Sequence, residues 1–503
     1  MSRTKKFFYN SISTGFYQVV HMIAGLITPR IMLKYYGSEI NGLVSSINQF
    51  IVYFNLVEAG LSGAAIYALY KPLAENDHRA INGVVSAAKK FYTQSGYIFV
   101  TFTIGLAVFY PFFVQTNTMT PLNVSLLVMI LGVNGALEFF TLSKYRVLLS
   151  ADQRTYVISL ASIVYTIVNT IIVAILGPMQ VDIVILRLVV LLAIFLRSFI
   201  LMSYVKVKYK FINYKEKPNT KALNKRWDAL YLQILGAVHK GAPVVILTLV
   251  TGDLKLVSVY TIFNMVTANL NGILSIFKSG LSASFGDVIA RGEEKVLQKS
   301  YSEFEFSYYA LITVIYSIAF VMIMPFIRIY TSGVTDINYD VPLIGFLFVL
   351  NGLLYNIKTP QGMLVISGGL YKETRIQTTI QAAIAVILGL VLTPFIGIYG
   401  VLIASIISDI YRDIDLLFFI PKYLTRLPVM DTVKRMIMVT CSVVLICLPF
   451  IFIDVNATNY LEWLLYAIIV GIYACTVVIA MSLFFEKNEL KSVFSRIMVM
   501  VKR

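Results

Sequence analysis

The sequence predicts an all-α polytopic membrane protein of about fourteen transmembrane helices, built as two pseudo-symmetric six-helix lobes plus two C-terminal helices. Three observations lead there. Of 503 residues, 58% are hydrophobic and only 14% charged, with a mean hydropathy of +0.79, whereas soluble domains carry roughly 25% charged residues. Apolar windows of ~20 residues, enough to cross a bilayer as a helix, recur along the whole chain. Positive charge collects in alternate connections between those windows. This composition excludes a disordered chain, a disulfide scaffold and an ordinary soluble enzyme. The excess of 42 Lys+Arg over 26 Asp+Glu, +16 in all, would suggest nucleic acid in a soluble protein. Here topology accounts for it, and no nucleic-acid partner is expected.

The spans follow in order. Met1–Asn10 carries Arg3, Lys5 and Lys6, but the apolar run behind it is full length and contains Arg30, so it reads as a first span rather than a cleavable signal. Further windows fall near 40–70, 91–115, 121–148, 155–177, 182–205, 229–251, 256–290, 304–330, 341–367, 375–397, 399–421, 436–454 and 460–485. Those at 40–70 and 256–290 are long enough to run past the bilayer into the cytoplasm. The cysteines Cys441, Cys447 and Cys475 lie in the late apolar segments without disulfide or zinc spacing, which fits apolar packing.

Charge tests this division independently. With the N-terminus in the cytoplasm, the inner segments hold 32 Lys/Arg and the outer loops only Lys34 and Lys255. This is the positive-inside asymmetry, and it places both termini of a multi-pass membrane protein in the cytoplasm. The remaining eight basic residues fall within spans: Arg30, Arg187, Arg197, Lys240, Lys278, Arg328, Lys358 and Arg412.

The two halves repeat at an offset near 217 residues. Glu58-Ala59-Gly60-Leu61-Ser62 echoes Lys278-Ser279-Gly280-Leu281-Ser282, Asn134-Gly135 echoes Asn351-Gly352, Ser150 matches Ser367, and Arg197 matches Arg412. Six spans per copy is an even number, so both copies share one orientation, and a cavity between lobes suits alternating access. The expected divisions are an N-lobe at 1–205, a basic cytoplasmic linker at 206–228 and a C-lobe at 229–421. Spans 13–14 and a basic tail occupy 422–503.

Catalytic chemistry has no foothold here: three histidines, no metal-type cluster and no glycine-rich phosphate loop, so an enzyme is not expected, nor any cofactor. Polar stripes carry the signal instead. Asn264, Thr267, Asn271, Ser275, Lys278 and Ser282 fall on one helix face, as do Asn41, Ser45, Asn48, Asn55 and Ser62. Asn351, Tyr355 and Lys358, and Asn134, Glu138, Thr141 and Tyr145, add two more faces. Lipid cannot satisfy them, so each should meet a water-filled cavity or another helix. A charge within a span is costly and marks a functional candidate. Arg30, Lys240, Lys278 and Lys358 are the candidate cationic cavity, with Arg197, Arg412, His239, Asn271 and Asn351 as additional candidates. Arg197 and Arg412 lie towards inner ends, where snorkelling competes with function. Glu58 and Glu138 are the deep acids, candidates for coupling to a proton or sodium gradient or for pairing with the cations. Deep lysines in the second half and deep acids in the first suggest an anionic substrate.

With these residues in view, the chain resembles polysaccharide flippases of the Wzx type, within the multidrug/oligosaccharidyl-lipid/polysaccharide exporter superfamily. The resemblance covers about residues 5–485. It is carried by Thr28-Pro29-Arg30-Ile31, Tyr36-Gly37-Ser38-Glu39-Ile40-Asn41-Gly42-Leu43, Glu58-Ala59-Gly60-Leu61 running to Tyr70-Lys71-Pro72-Leu73, Tyr145-Arg146-Val147-Leu148-Leu149-Ser150-Ala151-Asp152-Gln153 and Tyr330-Thr331-Ser332-Gly333-Val334-Thr335-Asp336. It implies transfer of an undecaprenyl-diphosphate-linked oligosaccharide from the cytoplasmic to the external leaflet, with membrane lipids and polysaccharide polymerase or export machinery as partners. The alternative is a cation-coupled small-molecule exporter of the same fold.

Overall fold

The computed structural model describes residues 3–58, 61–114, 116–220, 227–278 and 281–501, and among them all regular structure is helical. Helix α1, Arg3–Phe54, is two helices joined at a kink, because Gly37 adopts a left-handed φ of +80° that side chains disfavour. This kink separates the first two predicted spans. A 3₁₀ turn at Asn55–Glu58 interrupts the second, which resumes as α2, Leu61–Glu75. Helix α3, His78–Phe113, starts where the Asp77 side chain accepts from the Ala80 amide at 2.9 Å. Pro121, at the first turn, opens α4, Pro121–Leu137. A π turn at Glu138–Leu142 then leads into α5, Ser143–Ala151. Helices α6, Thr155–Leu176, and α7, Ile183–Lys208, complete the first run.

The second run repeats these proportions. Helices α8, Trp227–Ile246, and α9, Leu254–Lys278, are followed by α10, Leu281–Ala290, α11, Glu294–Tyr330, and α12, Pro342–Ile357. Then come α13, Thr359–Ser367, α14, Arg375–Ile396, and α15, Ile398–Ile420. Helices α3 and α11 have 36 and 37 residues, α4 and α12 have 17 and 16, α5 and α13 have 9 each, and α6 and α14 have 22 each. The repeat is thus a repeat of elements, not only of short motifs. Helices α16, Val429–Cys447, α17, Tyr460–Phe485, and α18, Lys487–Val501, end the chain, so much of the basic tail is helical.

Eleven helical segments among the described residues are long and apolar enough to cross a membrane. One of them, Phe8–Glu75, contains two predicted spans. Helices α9 and α15 are long enough, but the polar stripe of α9 and the four charges Asp409, Arg412, Asp413 and Asp415 of α15 lower their hydropathy. Of the predicted span near 256–290, residues up to 278 lie in α9 and residues 281–290 in α10. Ala59, Gly60, Ser279 and Gly280 of the repeated motifs, and residues 221–226 of the expected linker, lie outside the described residues.

The chain packs as two compact units, Met1–Ile262 and Phe263–Arg503. The core of the first is built on Leu43, Ile47, Leu69, Ala87, Phe99 and Leu142, all fully buried. In the second, Met363, Leu364 and Val365 of α13 pack with Leu416, Phe419 and Ile420 of α15. Large apolar side chains such as Phe112, Leu192, Phe199, Phe395 and Phe484 point outward, a surface suited to lipid rather than water.

Candidate functional site

In the first unit, polar residues of the second half of α1 meet α8 and α9 directly. Asn41 Nδ2 donates to Ser258 Oγ at 2.8 Å. Tyr110 donates to Ser46 at 2.9 Å, Ser46 and Thr248 hydroxyls bond at 2.8 Å, and Thr248 donates to the Val244 carbonyl at 2.8 Å. The seam is tight because it is lined by glycine: a Cβ on Gly42 would sit 1.8 Å from the Leu254 carbonyl oxygen, and one on Gly241 would sit 2.1 Å from Gln49 Nε2. Asn41 of the predicted polar stripe is therefore committed to a helix–helix contact. Lys240, exposed, and His239, half-buried, adjoin Gly241 on α8. Arg30 is half-buried on α1 directly after Pro29, while Arg187 on α7 lies within electrostatic reach of Tyr165 and Tyr36.

The deep acids of this unit are engaged. Glu138, on the π turn, binds Arg197 at 2.6 Å and Arg146 at 3.7 Å, and Glu58 lies within electrostatic reach of Arg146 and Glu138. The Arg197 guanidinium also lies over the Tyr165 ring at 5.6 Å. Outside the spans, Asp152 at the α5–α6 turn gathers Lys6 at 2.8 Å, Arg154 at 2.5 Å and the Tyr209 hydroxyl at 2.5 Å. Burial alone would raise this carboxyl, but those donors outweigh it and hold it below its ordinary value.

In the second unit, Asn271 Oδ1 accepts from Asn356 Nδ2 at 2.6 Å and from the Tyr316 hydroxyl at 3.2 Å, while Tyr308 donates to Asn356 Oδ1 at 2.7 Å. Lys358, between α12 and α13, is ion-paired with Asp409 of α15, which also accepts from Gln381 Nε2 at 3.1 Å. Arg412 is buried against Asp415 and the Thr374 hydroxyl, each at 2.5 Å. Lys278 is half-buried at the end of α9. Asn351 on α12 and its counterpart Asn134 on α4 each bury a side-chain oxygen with no hydrogen-bond partner among the described residues. Deeper still, Arg435 joins Glu305 at 2.9 Å and Glu486 at 2.9 Å, tying α11, α16 and the start of α18 together.

The structure thus brings Glu138 together with Arg197, and Asn271 with Asn356, but gives Lys358 and Arg412 acidic partners on α15. The sequence reading overlooked Asp409, Asp413, Asn356 and Glu305. Asp409 and Asp413 had a legible signal, two carboxylates one turn apart in an apolar helix. Asn356 did not, since one asparagine in an apolar segment resembles any other.

Neither a family model nor a curated relative matches the chain by sequence. Solved structures do. The lipid II flippase MurJ in its inward closed conformation superposes with a TM-score of 0.68 at 16% identity, over 96% of this chain and 99% of that one. An inward-facing multidrug resistance MATE family transporter of the MOP superfamily gives 0.65 at 12% identity, over 84% of this chain and 95% of its own. A MOP superfamily transporter from Pyrococcus furiosus, described as having a binding pocket of reverse polarity, gives 0.56 at 14% identity, over 83% of this chain and 95% of its own. This polytopic helical chain has the fold of the MOP superfamily transporters.

Proposed function

We propose that this protein is a flippase that moves an undecaprenyl-diphosphate-linked oligosaccharide from the cytoplasmic to the external leaflet of the bacterial cytoplasmic membrane by alternating access. The observation that carries the reading is the extent of the fold likeness: it runs over 96% of this chain for a lipid-linked flippase, against 84% for the multidrug transporter. Intramembrane cations agree with an anionic head group. Arg30, Lys240 and Lys278 are the residues assigned to the diphosphate and acidic sugars, with Asn271 and Asn351 assigned to sugar hydroxyls. Lys358 and Arg412 act in this reading through their pairs on α15. The lobes expected at 1–205 and 229–421 alternate, and the N- and C-termini stay in the cytoplasm. Polymerase and export machinery would receive the flipped product.

The test is deletion and complementation in a strain that makes surface polysaccharide. Loss of export, with lipid-linked oligosaccharide accumulating on the inner leaflet, is the expected result. Drug sensitivity without any polysaccharide defect would replace this reading with the small-molecule exporter.

A further inference from the structure

Asp413 of α15 is 6% exposed, and neither of its carboxylate oxygens has a hydrogen-bond partner among the described residues. The same is true of Oε1 of Gln361 on α13, which is 4% exposed. The Gln361 amide cannot be reversed, because its Nε2 donates to the Glu305 carboxylate at 2.8 Å and to the Tyr309 oxygen at 3.0 Å, and the Tyr309 hydroxyl is itself spent on the Ile357 carbonyl. Three acceptor oxygens are therefore buried without a hydrogen among them, which is an expensive arrangement for a charged carboxylate.

Register places the two side chains level. Lys358 pairs with Asp409, and further along both helices residues 363–365 pack with residues 416–420. The helices therefore run in parallel, and one turn beyond the Lys358–Asp409 pair brings Gln361 alongside Asp413. Tyr309 of α11 bonds to Gln361 and is acted on by Asp413. The charged and titratable groups acting on Asp413 are Lys358 from the α12–α13 junction, Asp409 from its own helix and Tyr309 from α11. Helix α14 contributes the uncharged Gln381. Arg412 is turned to Asp415 and Thr374, and Arg435 to Glu305 and Glu486.

We infer that Asp413 is a proton-binding site: the proton sits on its carboxyl and is donated to Gln361 Oε1. One proton then supplies the missing donor and removes the uncompensated charge, leaving Lys358 and Asp409 as a neutral pair. On release the proton leaves to solvent, the cluster becomes net negative, and the Lys358 ammonium is shared between Asp409 and Asp413. A sodium ion fits less well, since the adjacent ammonium repels it. The spans that carry α13 and α15 are thereby linked to proton occupancy. Only the further link from occupancy to transport rests on the flippase reading.

The test uses the full chain in lipid nanodiscs, with pH-difference infrared spectroscopy as a readout independent of any transported substrate. Wild type should show a protonated-carboxyl band that is lost in Asp413→Asn and shifted in Gln361→Leu, which removes the acceptor but keeps the acid. Asp413→Asn mimics the protonated form and should fold as well as wild type. Identical spectra for wild type and both variants across pH would overturn the site. A band insensitive to pH but moved by sodium would overturn the proton as its ligand. Absence of flipping by the wild-type protein, with the band present, would sink the flippase reading and leave the site standing.

Discussion

The ring of Tyr316 occupies the space that any side chain on Gly352 would need: a Cβ there would lie 2.7 Å from the ring. Phe99 and Gly135 stand in the same relation, with a Cβ 2.5 Å from the ring, at the equivalent places of the first copy. Overpacking such a contact costs about 1–3 kcal/mol. Gly352→Leu and Gly135→Leu should each lower the melting temperature of the purified protein and its yield from membranes. Unchanged melting in both would mean that α11–α12 and α3–α4 do not approach this closely.

Gly42 faces backbone rather than a yielding side chain: a Cβ there would lie 1.8 Å from the Leu254 carbonyl oxygen. Gly42→Val should therefore push α1 and α9 apart. Cysteines placed at positions 41 and 258, whose native side chains bond at 2.8 Å, should crosslink readily in the parent and poorly when Gly42→Val is added. Equal crosslinking would refute the tight seam.

Glu138 and Arg197 form a half-buried pair at 2.6 Å. Breaking a buried pair by removing one partner costs about 3–5 kcal/mol, whereas removing both is much milder; the 35% exposure of Glu138 places this pair towards or below the lower end. Arg197→Gln should destabilise the protein more than Glu138→Gln combined with Arg197→Gln. If the double variant is stable yet inactive in polysaccharide export, the pair serves transport as well as folding.

Asp152 predicts an acid-side effect. Its folded value lies below the ordinary 3.8, so the stabilisation it contributes is complete above that value and fades as pH falls through the lower, folded one. Thermal unfolding followed from neutral to strongly acid pH should show this loss in wild type. Asp152→Asn should be less stable at neutral pH and should lack that component of the acid dependence.

How far the sequence carried can be judged from particular residues. Gly37 was readable as a break because the apolar windows on either side of it end there. The equal lengths of α5 and α13 lay behind the Ser150–Ser367 match, since both serines sit near the ends of those helices. The candidate site was less legible. Lys358 reads as an intramembrane cation, but whether it faces a substrate or a carboxylate depends on Asp409, 51 residues away on another helix. Helical periodicity assigns a face to a residue; it does not say what packs against that face.

The contact between Asn41 and Ser258 joins residues 217 positions apart, the offset that relates the two copies of the repeat. Here the chain touches itself at corresponding places. In a symmetric dimer of identical half-length chains, a residue on the dyad meets its own twin. The Asn41–Ser258 bond has the same form within one chain, with an amide donor on one side and a hydroxyl acceptor on the other.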